Sequence, residues 1–64
     1  MVGIRIKEYL IKNGIKQTFI VERTGLTPTI VSDICKGKRN IECREYYKIC
    51  KALQVPLETF IEEN

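Results

Sequence analysis

Apolar residues in this chain recur at intervals of three and four and nowhere alternate with period two, so the pattern predicts helices throughout and no strand. Ile6, Tyr9, Leu10 and Asn13 share one side of a first helix, and Asn13-Gly14 supplies a left-handed stop, which predicts a helix from Gly3 to Asn13. Gln17 through Thr24 reads as a second, short helix with Ile20 and Val21 inward, closed by Gly25 in a tight turn. Thr27 suits an N-cap and Pro28 the first helical position, where a missing amide proton and fixed φ cost little. A third helix is therefore predicted from Pro28 to Lys36, ended by Gly37. At about 100° per residue, Ile30, Val31, Ile34 and Cys35 fall on one side of it, with Thr29, Ser32, Asp33 and Lys36 on the other. Cys43, Tyr46, Tyr47, Cys50 and Leu53 keep helical spacing in a fourth element. Gln54-Val55-Pro56 interrupts it, and Leu57 to Glu62 form a last short turn or two. The prediction is an all-α, five-helix fold occupying residues 1–64 as one domain.

Composition narrows the chemistry. A chain of 64 residues, 44% apolar and 30% charged, holds one small folding unit and no separate effector module. With no histidine and no tryptophan it lacks the commonest general base and metal ligand, so no enzyme, metal site or cofactor is expected, and no small-molecule ligand is evident. Cys35, Cys43 and Cys50 are odd in number and without CxxC spacing. Cys43 and Cys50 would stand two turns apart, about 10 Å, too far to bridge. All three are expected as small buried hydrophobes in a reducing compartment rather than redox groups. No apolar run approaches the roughly 18 residues of a membrane span, so a soluble, cytoplasmic protein is expected. A unit this short buries only about 60% of its unfolded surface, which favours a partner subunit.

The net charge of +3 conceals a strong asymmetry. Residues 1–16 carry four bases and one acid, residues 17–35 one base and two acids, residues 36–51 six bases and two acids, and residues 52–64 three glutamates. A positive segment from Lys36 to Lys51 is suited to a polyanion, although charge alone serves equally well to solvate an exposed face.

Two short helices joined across Gly25, the second polar on its outer face, let one helix brace its neighbour in a DNA major groove. Gln17, Val21, Gly25, Val31 and Ile34 fit such a helix-turn-helix over residues 17–36. Lys16-Gln17, Gly25-Leu26-Thr27, Gly37-Lys38-Arg39-Asn40, Ile49, Lys51-Ala52-Leu53 and Val55-Pro56-Leu57-Glu58 extend the match in order and spacing. The sequence resembles the phage repressor and Cro superfamily of helix-turn-helix domains over nearly its whole length.

That resemblance implies a compact lambda-repressor-like domain binding double-stranded DNA as a homodimer, most economically a repressor on a pseudo-palindromic operator. It implies base contacts from Thr27, Pro28, Thr29, Ser32 and Asp33. Phosphate contacts fall to Lys16, Gln17, Lys36, Lys38, Arg39 and Asn40. The apolar C-terminal residues Val55, Leu57, Phe60 and Ile61 are the expected dimer surface, against simple core packing. The chain departs from the pattern in four ways. Its outward residues lack the forked Gln, Asn or Arg readers. Glu42 stands where Ser or Thr is common, Val21 where alanine is usual, and Leu10 with Cys35 where relatives often pair Arg with Glu. Exchanging both members of such a pair for apolar groups is consistent with packing, and predicts that Leu10 meets Cys35. Asp33 and Glu42 are the best support for the alternative, an antirepressor or antitoxin component that kept the fold as a protein-interaction module.

Overall fold

Four α-helices and a terminal 3-10 turn build the computed structural model, which describes residues 2–61: α1 (Val2–Lys12), α2 (Gln17–Thr24), α3 (Pro28–Cys35), α4 (Cys43–Leu53) and the 3-10 turn (Leu57–Phe60). The fold is all-α, as the periodicity predicts. The fifth element is tighter than an α-helix, because Pro56 starts it and its amides reach back only three residues, Thr59 N–H to Pro56 O at 3.1 Å and Ile61 N–H to Glu58 O at 3.3 Å. Glu62, to which the pattern extends it, lies outside the described residues.

Three helices end by one device. The N–H of the residue after a left-handed position returns to a carbonyl five residues back, and the N–H of the left-handed residue itself to one three back. The pairs are Ile15 to Leu10 (2.8 Å) and Gly14 to Ile11 (3.2 Å), Lys38 to Asp33 (2.9 Å) and Gly37 to Ile34 (3.1 Å), and Val55 to Cys50 (3.1 Å) and Gln54 to Lys51 (3.2 Å). α1 thus stops at Lys12 and α3 at Cys35, each one residue short of the expected end. Asn13 belongs to the cap, where its side-chain amide donates to Tyr9 O at 2.8 Å. Gln54 carries the left-handed conformation (φ 58°) that is taken by glycine at the other two caps.

Ile6, Leu10, Ile20, Val31, Ile34, Cys35, Ile49, Cys50 and Phe60 form the core. Leu10 and Cys35 are 2% and 1% exposed, so the positions suited to a buried ion pair join the apolar cluster where α1 packs on α3. Val21 is only half-buried. Gly3 lets α1 lie directly on the end of α3: a Cβ there would stand 2.0 Å from Ile34 O.

The inward stripe of α4 is offset from the expected one. Glu45, Ile49 and Cys50 are buried and Tyr46 and Leu53 half-buried, while Cys43 and Tyr47 are exposed. Cys43 is therefore not the buried hydrophobe expected of it, because the helix turns positions 43 and 47 past the edge of the face that packs on α2. All three cysteines are free thiols. Burial pushes the thiols of Cys35 and Cys50 above their ordinary range.

A candidate nucleic-acid interface

The α2–α3 unit is held by short-range bonds around Gly25. That residue (φ 77°) donates its N–H to Val21 O at 3.0 Å, a conformation that would strain a residue with a Cβ. Thr24, buried beneath the turn, donates its hydroxyl to Ile20 O (2.6 Å) and accepts from Leu26 N–H (3.2 Å), so it satisfies its own polar group while bracing the link. Sequence reasoning did not single out Thr24; its place directly before the turn glycine was the available signal. Thr27 then caps α3, its Oγ1 accepting from Ile30 N–H at 3.1 Å.

Val31, Ile34 and Cys35 anchor α3 in the core. Thr27, Pro28 and Thr29 are exposed at its start, and Ser32 and Asp33 are half-buried further along the same outer side. The helix therefore offers hydroxyls, one carboxylate and a proline ring. Lys16 and Gln17 are exposed at the start of α2, which has no side-chain cap. The amides of Gln17 and Thr18 have no carbonyl within the helix to accept them, and such groups favour an anion. Lys36, Lys38 and Asn40 are exposed in the loop after α3.

Arg39 is placed differently from its neighbours in that loop. Its Nη2 donates to Glu45 Oε1 at 3.1 Å and Oε2 at 2.8 Å, while Glu45 Oε1 also accepts Glu42 N–H at 3.0 Å. Arg39 is thus tied to the first turn of α4. Glu45 escaped the sequence reading, although Glu42-x-x-Glu45 has the spacing by which a third-position carboxylate reaches back to a helix start. Glu42, which stands where Ser or Thr is common, thus starts α4 in a capping box with Glu45.

The C-terminal apolar residues divide. Phe60 is 3% exposed and packs edge-on against Tyr9 (5.4 Å between ring centroids) and Tyr46 (6.4 Å), so it belongs to the domain's own core and not to a surface available to a second subunit. The 3-10 turn swings it inward, and Arg5 secures the turn by donating from Nη1 to Phe60 O at 3.3 Å. Leu57 and Ile61 remain about half exposed and Val55 half-buried. Ile61 borders a shallow depression with Val2, Ile41, Cys43 and Tyr46. A separate basic depression is lined by Arg23, Lys48 and Lys51. Arg23 and Lys51 occupy the last turns of α2 and α4, where a cation offsets the negative end of the helix dipole.

Two short helices packed across a left-handed glycine, the second displaying a hydroxyl-bearing side next to a cationic loop, define a helix-turn-helix domain. The profile of the Cro/C1-type HTH DNA-binding domain matches residues 5–63, and the chain belongs to that family. Its class is that of DNA-binding regulators. Comparison with curated proteins gave no match. Among the described residues no helix is long and apolar enough to cross a membrane.

Proposed function

We propose that this protein is a Cro-like repressor that binds a pseudo-palindromic operator as a homodimer, with α3 in the major groove. The observation that carries the reading is the exposed Thr27-Pro28-Thr29 end of α3 flanked by exposed Lys16, Lys36 and Lys38. Thr27, Pro28, Thr29, Ser32 and Asp33 meet base edges. Hydroxyls serve either partner, Asp33 accepts from cytosine N4, and the proline ring or a threonine methyl touches thymine. Lys16, Gln17, Lys36, Lys38, Arg39 and Asn40 meet phosphates. Without forked purine readers, discrimination per base lies at the lower end of about 1–3 kcal/mol, and DNA shape supplies the remainder. Val55, Leu57 and Ile61 form the two-fold contact, which sets two α3 helices about 34 Å apart.

Fluorescence anisotropy on duplex DNA across a salt series tests the reading. Several neutralised phosphates give a log–log slope of about −0.9 for each. A flat line selects the protein-interaction module, the alternative that Asp33 on the outer side of α3 favours. Sedimentation equilibrium of Leu57→Glu against the parent chain tests the dimer, and equal masses for the two at every concentration would remove it.

A further inference from the structure

We propose that Glu45 is a positioning residue for DNA binding, a buried carboxylate that holds the Arg39 guanidinium ready for a backbone phosphate. The inference rests on the reading that the loop after α3 meets the sugar-phosphate backbone. A carboxylate on a DNA-binding side ordinarily opposes binding, because it repels phosphates. Glu45 is only 7% exposed, and its oxygens are taken up by Arg39 Nη2, at 2.8 and 3.1 Å, and by Glu42 N–H, at 3.0 Å.

Arg39 keeps a third of its side-chain surface open, and its Nε and Nη1 make no hydrogen bond among the described residues. A guanidinium carries five donors in a rigid fork, so one nitrogen can stay on Glu45 while others take a phosphate oxygen. A free arginine loses rotamer freedom when it grips a phosphate. Here that ordering is completed in the folded protein before DNA arrives. Its neighbours Lys36 and Lys38 are exposed and lack any ion pair among the described residues, and a lysine ammonium is a point charge on a flexible stem rather than a rigid fork.

The decisive variant is Glu45→Gln. Glutamine can still accept Glu42 N–H, so the start of α4 is retained while the ionic hold on Arg39 is lost. Coulomb attraction alone requires tighter DNA binding when a negative charge is removed, whereas positioning requires weaker binding, by about fivefold. Anisotropy on a mixed-sequence duplex suffices, since phosphate contacts carry no sequence information. Glu42→Gln, which removes an exposed carboxylate from the same helix start, should bind as well as the parent or slightly better. Arg39→Gln should shrink the salt slope by about 0.9. In the Arg39→Gln background the Glu45→Gln loss should vanish, which a merely structural role for Glu45 would not produce.

Equal or tighter binding by Glu45→Gln, or an undiminished loss in the Arg39→Gln background, overturns the proposal. Failure of the parent chain to bind any duplex refutes the DNA reading instead. Should Glu45→Gln not fold, Arg39→Lys carries the test. A lysine ammonium lacks the rigid fork that serves Glu45 and a phosphate together, so binding should fall about fivefold with charge conserved, and unchanged affinity overturns the proposal.

Discussion

Gly3→Ala puts helix propensity and packing in direct opposition. Alanine in place of glycine inside a helix ordinarily gains about 1 kcal/mol, and less in a first turn such as the one Gly3 occupies. The added Cβ, however, would lie 2.0 Å from Ile34 O and 3.3 Å from Ile34 Cγ2. Reaching ordinary contact requires a movement of about 1.4 Å between α1 and α3. The obstacle is a backbone carbonyl that also accepts Gly37 N–H at 3.1 Å, so it cannot rotate away as a side chain would. Overpacking of this kind costs about 1–3 kcal/mol, which leaves a net loss of about 1–2 kcal/mol. In a 64-residue domain that corresponds to a fall in Tm of about 5–15 °C by circular dichroism. Gly14→Ala is the comparison, because its Cβ would meet nothing within 4 Å and its cost is confined to φ +67°. A Gly3→Ala protein that melts at or above the parent temperature would refute the close approach of α1 to α3.

Gln54→Gly should stabilise the domain by about 0.5–1 kcal/mol, read as a raised urea midpoint at constant m, because it relieves the one left-handed non-glycine residue among those described. Thr27→Ala should cost about 1 kcal/mol by urea titration, through loss of the oxygen that accepts Ile30 N–H. Iodoacetamide should label one thiol per native chain, Cys43, and three in urea, as counted by mass spectrometry; native labelling of Cys50 would contradict its burial. Burial holds the Cys35 and Cys50 thiols above the ordinary 9.0, so the folded chain keeps these protons more tightly than the unfolded one. Their contribution to stability is complete below pH 9.0 and is lost as pH rises through the raised native values. The parent's stability to urea should therefore fall as pH rises above 9.0 through those raised native values, and less so for Cys50→Ala.

The order and type of the elements were legible without coordinates, because each signal is local. A helix end needs only an asparagine-glycine or lysine-glycine step, a helix start only Thr27-Pro28, and an inward side only the spacing of Val31, Ile34 and Cys35. The outer side of α3 followed from the same periodicity, as did the cationic loop from the run of Lys36, Lys38 and Arg39. Where the reading went astray, two overlapping periodicities fitted one segment. Cys43 and Tyr47 extend the apolar spacing of α4 as well as Ile49 does, and nothing local says where α2 will lie against it.

What tertiary structure alone decided are contacts between residues whose partners lie elsewhere in the chain. Phe60 looked like surplus surface until the 3-10 turn carried it between Tyr9 and Tyr46, and Gly3 was unremarkable until α1 came to rest on the carbonyl of Ile34. Arg39 counted as one cation among several until α4 brought Glu45 beneath it. Composition and periodicity are sums over neighbours a few residues apart, whereas packing depends on the distance between helices. That distance is set only when all of them fill one core together.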